Sequence, residues 1–403
     1  MKVKISPSRL CGEVSAPPSK SFAHRMMICA ALAHGESVIK GISDSEDMLA
    51  TLDCIEALGA RYEKRDDTVT ITGRAGLTPE NAVFRCRESG STLRFMIPSA
   101  LTGANVRFEG TPRLLERGIG IYEQLLGEKG IEIEKDLAGI TMKGALKSGE
   151  YTLRGDVSSQ FVTGLLFALP LLSGDSVITV LPPVESRAYI DISCAVLKSF
   201  GIKITETEPN RFFVFGGQEY RTQTTAVEGD WSNAAALYAF NSVGGSVKVN
   251  GLNAESIQGD RVCLEYLRAL EESEAVLDIS NCPDLGPVLF AAAAAKGNGA
   301  VFTGTRRLRI KESDRALVMS DCLSHFGIET VLGENSVRIL PGTLHTPDTA
   351  LSSHNDHRIV MALALLMSIT GGTIENAQAV SKSYPDFFGV LTSLGLEVTD
   401  EAQ

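Results

Sequence analysis

The sequence predicts an α/β fold of two compact globes, each holding three repeats of helix and paired strands. One grammar recurs along the chain: an amphipathic helix closed by glycine, a short strand, a polar turn, and a second alternating strand closed by glycine. It is written in "LDCIEALGARYEKRDDTVTITG", "YEQLLGEKGIEIEKDLAGITMKG", "AVLKSFGIKITETEPNRFFVFGG" and "SDCLSHFGIETVLGENSVRILPG", with a fifth, shorter copy in "LTSLGLEVTD". The helix-closing glycines Gly59, Gly130, Gly201, Gly327 and Gly395 fall at steps of 71, 71, 126 and 68 residues. A chain of 403 residues with 44% hydrophobic and 22% charged content has room for two or three globular domains.

Each element follows from its residues. Glycine after the helix supplies the left-handed stop, and alternation after it marks a half-buried strand. The step of 126 hides a copy near "YLRALEESEAVLDIS", where helix and strand persist but Leu270 stands where glycine is expected. That makes six units of roughly 60–70 residues, too large for a thin solenoid and suited to compact layers. Two seams stand out: "APPSK", where Pro17 and Pro18 forbid regular structure, and the acidic turn "AVEGDWS".

Charge and composition exclude several classes. A net charge of −11 argues against a surface that clings to nucleic acid or acidic lipid, so any anion site must be local. The apolar runs "FVTGLLFALPLL" and "IVMALALLMSI" fall short of the roughly 20 residues of a bilayer span and read as buried helices. "MKVKISPSRL" carries no apolar signal core, and the expectation is a cytoplasmic protein. Eight cysteines without a C-x-x-C pair read as reduced, mostly buried thiols rather than a disulfide framework or zinc site.

Seven segments place Ser, Thr, Gly or Asp beside Lys or Arg near an expected helix start: "SKSFAHR", "ESGSTLRF", "GTPRLLERG", "GDVSSQF", "RLRIKESDR", "NDHR" and "SKSYPD". A helix N-terminus with a nearby cation suits an anion, although each alone reads more readily as a simple cap. Together they point to a shared, highly anionic ligand. Arg309, Lys311 and Arg315 repel one another unless an anion, Glu312 or Asp314 compensates. His354 and His357 lack a third ligand at metal spacing, so Asp356 as cap with Arg358 aimed at an anion is the more economical reading. No metal and no cofactor is expected. Asp284, after Pro283 and before a small-residue helix, reads as a cap or as a functional carboxylate.

In order, "PPSKSFAHR", "ESGSTLR", "DVSSQF", "CPD", "RIKESDR", "NDHR" and "SKSYPD" resemble the signature blocks of the 3-phosphoshikimate 1-carboxyvinyltransferase (EPSP synthase) family across essentially the whole chain. The resemblance implies transfer of the enolpyruvyl group of phosphoenolpyruvate to the 5-hydroxyl of shikimate 3-phosphate, with release of phosphate. It implies two globes of three βαβαββ units that close over the substrates: residues 19–227, and residues 1–18 with 228–403, hinged at 17–20 and 227–230. By the same likeness Lys20 touches both substrates. Ser21, Arg25, Ser158, Ser159, Gln160, Ser186, Asp284 and Lys311 hold shikimate 3-phosphate, with Tyr189 packed nearby. Gly90, Arg113, Gln160, Arg315, Arg358 and Lys382 meet phosphoenolpyruvate. Asp284 resembles the base for the 5-hydroxyl, and Glu312 the group serving the methylene carbon, with Lys20 a rival for general acid. A monomer is expected.

The chain departs from some family members at Phe161, Ser91 and Arg307, and the last leaves a shikimate contact in doubt. The sister transferase acting on UDP-N-acetylglucosamine typically opens with Lys-Asn and uses a loop cysteine, whereas "GTPRLLERG" has none. A non-catalytic repeat scaffold would explain the six units but not Lys20, Asp284, Glu312 and the arginines.

Overall fold

A computed structural model describes residues 1–73, 78–272 and 274–401. Contacts divide the chain into two compact units, Pro18–Glu228, and Met1–Pro17 with the chain from Gly229 onward. Each has its own apolar core.

The Pro18–Glu228 unit contains three sheets with one strand order. In the second, Ala82–Arg85 runs parallel to Thr102–Glu109, which pairs antiparallel with Gly139–Ala145, itself antiparallel to the outer Glu132–Lys135. Strands Glu150–Arg154, Ser176–Leu181, Arg211–Val214 and Ile204–Glu208 repeat this order. So do Thr224–Ala226, Gly35–Lys40, Thr68–Gly73 and Arg61–Arg65, in which the unit's last strand pairs with its first.

Five helices of this unit matter to the site: α1 (Lys20–Leu32), α2 (Glu46–Ala57), α3 (Gly90–Ala100), α4 (Ser159–Ala168) and α5 (Arg187–Ser199). In α1 every residue from Phe22 to Leu32 is buried, His24 and Arg25 included, so the helix sits inside the unit. The run in "FVTGLLFALPLL" forms the buried α4, which ends in a 3₁₀ turn at Pro170. Helices α3 and α4 meet at Gly164, where a Cβ would lie 2.3 Å from both the Arg94 carbonyl oxygen and the Tyr122 hydroxyl. Only glycine permits that approach.

The other unit adds four labelled helices, α6 (Trp231–Ala239), α7 (Gly286–Lys296), α8 (Arg315–His325) and α9 (His357–Thr370). Its sheet Ala275–Asp278, Ala300–Thr303, Ser336–Ile339, Thr330–Leu332 keeps the common order. A second sheet places the first strand of the chain, Lys2–Ser6, between Gly372–Glu375 and Glu397–Asp400, antiparallel to both. The third is reduced to two parallel strands, Ser246–Asn250 and Cys11–Ser15.

In this last sheet the sixth copy is present in shortened form. The helix Cys263–Ala269 ends at Leu270 in right-handed backbone, and the strand after it, Ala275–Asp278, opens the next sheet instead of starting a hairpin. The five glycine stops do adopt positive φ, from 81° at Gly327 to 105° at Gly59. Without a left-handed residue at 270 the chain does not turn back into its own sheet. No helix among the described residues is long and apolar enough to cross a membrane.

Candidate active site

On the Pro18–Glu228 unit the expected ligands gather at the starts of α1, α3, α4 and α5. Lys20 is the first residue of α1, separated from the double proline by the N-cap Ser19, and its Nζ lies 2.8 Å from Asp47 Oδ2 in the first turn of α2. Arg25, one turn on, is buried. Its guanidinium donates to Ser193 Oγ at 2.8 Å and to the carbonyls of Ser21 and Tyr189 at 2.7 and 3.0 Å, and sits 4.9 Å from the centre of the Phe95 ring. Burial pulls its pKa down to about 10. Ser158 caps α4, its Oγ accepting the Gln160 N–H. Ser186 starts α5 in left-handed backbone at φ 56°.

Gln160 joins two of the blocks. Its Oε1 accepts from Arg94 Nη1 at 2.7 Å, and its Nε2 donates to Ser91 Oγ at 2.9 Å. Arg94 also donates to the carbonyls of Arg117 and Gly118, and lies 5.2 Å from the Phe161 ring centre. Phe161 thus serves as an aromatic platform for a cation.

Arg113 is not the guanidinium that stands nearest Gly90. Its side chain is 42% exposed and pairs with Glu116 at 3.4 Å. The guanidinium at Gly90 belongs to Arg117: a Cβ on Gly90 would lie 3.0 Å from Arg117 Nη2 and 2.9 Å from Arg94 Nη1. In Pro112–Arg117 the buried residue is Leu114. Arg113 and Arg117 lie one turn apart on neighbouring positions of the helix surface, and they differ in their partners: Arg113 pairs with Glu116, while Arg117 reaches Gly90. Neither Arg117 nor Arg94 is picked out by the sequence alone.

The other unit builds its cluster around Arg315, the first residue of α8, whose side chain is 1% exposed. Its Nη1 donates to Asp284 Oδ1 at 2.7 Å, its Nη2 to Glu312 Oε2 at 2.8 Å, and its Nε to Asp356 Oδ2 at 2.8 Å. Lys311 Nζ shares Asp284 Oδ1 at 2.9 Å. Asp284 therefore spends its carboxylate on cations, and α7 begins without a side-chain cap. Asp356 does cap α9, accepting the Arg358 N–H at 2.9 Å, while Arg358 Nη1 donates to the Ser232 carbonyl at 2.9 Å. Lys382 Nζ donates to the Asn355 carbonyl, in a turn where His354 and Asn355 both have positive φ.

The electrostatics sort these groups. Burial raises the Asp284 pKa, but Lys311, Arg315 and Arg358 together outweigh it and hold the carboxyl well below its ordinary value. Burial lowers the Lys311 pKa, helped by the charges of Arg315 and the buried Arg307. For Arg315 burial is overcome by Asp356, Glu312 and Asp284, so its pKa rises. Asp260 went unnoticed in the sequence: burial, then the charge of Asp284, lifts its carboxyl to about 7. Among the described residues no group of three His, Cys, Asp or Glu could hold a metal ion. All eight cysteines are unpaired.

The profile of the EPSP synthase (3-phosphoshikimate 1-carboxyvinyltransferase) family matches residues 5–391. A 3-phosphoshikimate 1-carboxyvinyltransferase of Clostridium kluyveri is 39% identical, over 99% of this chain and 98% of that protein. One of Clostridium perfringens is 37% identical, over 98% of each. Among solved structures, an EPSP synthase from Acinetobacter baumannii superposes with a TM-score of 0.79 at 23% identity, covering 99% of this chain and all of that one. The enolpyruvyl transferase NikO from Streptomyces tendae does so at 0.76 and 15% identity, covering 99% of this chain and 98% of that one.

Proposed function

The chain belongs to the EPSP synthase family, and from that premise we propose how its residues carry out the family's reaction. The enzyme transfers the enolpyruvyl group of phosphoenolpyruvate to the 5-hydroxyl of shikimate 3-phosphate and releases phosphate, a step of aromatic amino acid biosynthesis. The UDP-N-acetylglucosamine alternative is not favoured.

Both substrates carry a phosphate and a carboxylate, so the first task is to hold two polyanions together. Ser21, Arg25, Ser158, Ser159, Gln160, Ser186 and Lys311 take shikimate 3-phosphate. Phosphoenolpyruvate is taken by Lys20, the Gly90 backbone, Gln160, Arg315, Arg358 and Lys382, with Arg117 in the place first given to Arg113. Arginines suit this role because a guanidinium grips phosphate or carboxylate with two parallel hydrogen bonds.

One observation supports the chemical assignment most: two carboxylates, Asp284 and Glu312, share one buried guanidinium at 2.7 and 2.8 Å. As the 5-hydroxyl attacks C2 of phosphoenolpyruvate, its proton must leave and C3 must gain one; C3 then loses a proton as phosphate departs. Two proton-transfer groups are required. Asp284, held ionised by its cations, takes the hydroxyl proton, and Glu312 serves C3. The protein acts as a monomer in the cytoplasm, where unpaired thiols persist.

Asp284→Asn and Glu312→Gln test the roles, since each removes proton transfer while roughly keeping shape. Either variant lowers turnover at least about a hundredfold, the low end of general acid–base effects, with calorimetric binding of shikimate 3-phosphate little changed. In D₂O, Glu312→Gln fails to place deuterium in the methylene of phosphoenolpyruvate, whereas Asp284→Asn retains some exchange. Exchange at the wild-type rate in Glu312→Gln transfers the role to Lys20.

A further inference from the structure

A buried hydrogen-bonded chain that the reaction does not use links three helices of the Pro18–Glu228 unit. His24 Nδ1 lies 2.7 Å from Thr51 Oγ1, Thr51 Oγ1 lies 2.8 Å from Thr92 Oγ1, and Thr92 Oγ1 donates to Ser89 Oγ at 2.8 Å. Ser89 is the cap of α3 and also accepts the Thr92 N–H. All four residues are at most 1% exposed, so water does not stand in for a lost partner. His24 belongs to α1, Thr51 to α2, and Thr92 to the first turn of α3.

The proton count fixes the direction of the chain. Thr92 gives its hydroxyl proton to Ser89, so the Thr51–Thr92 contact needs the proton of Thr51. Thr51 Oγ1 also lies 3.2 Å from the Asp47 carbonyl, which can only accept. The one hydroxyl proton of Thr51 is therefore spent, and the contact to His24 requires a proton on Nδ1. Nε2 is left as a bare lone pair, and it has no hydrogen-bond partner among the described residues. A lone pair in an apolar setting costs less than a stranded charge. Burial, with Lys20 and Arg25 nearby, keeps the ring neutral.

Two of the three helices tied together carry groups assigned to phosphoenolpyruvate, Lys20 on α1 and Gly90 on α3. Lys20 opens α1, its partner Asp47 lies one turn before Thr51 in α2, and Gly90 and Ser91 open α3 beside the cap that ends the chain. We infer that Thr51 is a positioning residue for phosphoenolpyruvate: the chain His24–Thr51–Thr92–Ser89 locks the Gly90 turn in register with the helix bearing Lys20. The inference rests on the assignment of Lys20 and Gly90 to that substrate. Of the groups assigned to shikimate 3-phosphate, Ser158, Ser159 and Ser186 lie outside the chain, and Arg25 on α1 is fixed by its own bonds to Ser193 and Tyr189, so the chain bears less on that substrate than on the Gly90 turn.

Steady-state kinetics of the full-length enzyme, with each substrate varied in turn, test this in Thr51→Val, which keeps shape and removes the hydroxyl. The KM for phosphoenolpyruvate rises about tenfold, a fraction of the roughly hundredfold that a misplacement of 1 Å costs, while the KM for shikimate 3-phosphate stays within about twofold. Thr51→Ser restores wild-type values. His24→Asn, which offers an N–H near the position of Nδ1, stays close to wild type, and His24→Leu behaves as Thr51→Val. Thr92→Val cuts the same chain from its other side and serves if Thr51→Val does not fold; failure of both to fold assigns the network to stability alone and overturns the inference. So does a Thr51→Val enzyme with both KM values unchanged or equally raised. A wild-type protein that releases no phosphate with shikimate 3-phosphate overturns the functional reading, and the inference with it.

Discussion

Arg113 and Arg117 are four residues, one turn, apart on the same short helix, yet their guanidinium groups meet different neighbours. Arg117 stands at Gly90, whereas Arg113 pairs with Glu116 at the surface. A hydrogen bond to a charged group contributes about 1.5–3 kcal/mol, or about 10- to 100-fold in affinity. Arg117→Ala therefore raises the KM for phosphoenolpyruvate by that factor and Arg113→Ala changes it less than about twofold, as initial rates would show; the reverse order would restore Arg113. Asp260 gives a second test, through pH. Its folded pKa is raised to about 7, above the unfolded value of about 3.9. The folded state then binds the extra proton, so the group costs no stability below about pH 4 and imposes its full penalty above about pH 7. Asp260→Asn removes the penalty, and its melting temperature relative to wild type is higher at pH 8 than at pH 5; an offset independent of pH contradicts the shift. Lys20, Glu312 and Arg315 were legible because each sits in a short charged block, and Asp284 because Pro283 and a small-residue helix frame it. Asp260 was not, because its environment comes from Asp284 and Arg358, far along the chain.

Helix ends were the most legible elements. Five glycines announced five left-handed stops, because the requirement at a stop is local and few other residues meet it. The missing hairpin after Leu270 was not legible, since "AVLD" reads as a strand whichever sheet it joins; pairing partners are set by tertiary contacts. The network through Thr51 was hidden for the same reason, its members lying 27 and 41 residues apart. Gly164 carries the element-level prediction. A methyl there meets the α3 backbone and the Tyr122 hydroxyl at 2.3 Å, which forces the two helices apart. Overpacking of this kind costs about 1–3 kcal/mol, and Gly164→Ala lowers the denaturant midpoint accordingly. An unchanged midpoint would mean that α3 and α4 separate freely.

Across the molecule, a single repeated sheet order builds two units with separate cores. The Pro18–Glu228 unit is one continuous segment, closed by pairing its last strand, Thr224–Ala226, with Gly35–Lys40. The other is discontinuous, with Lys2–Ser6 filling the middle of a sheet otherwise made by the last residues of the chain. Each unit carries its own set of cations within a chain of net charge −11, an arrangement that favours an anion by local placement and not by bulk charge. Purified protein incubated with phosphoenolpyruvate and either shikimate 3-phosphate or UDP-N-acetylglucosamine tests the central claim most directly, with released phosphate as the readout. Phosphate appears with shikimate 3-phosphate, one equivalent per enolpyruvyl product, and not with the sugar nucleotide. Release with the sugar nucleotide, or with neither acceptor, would contradict the account.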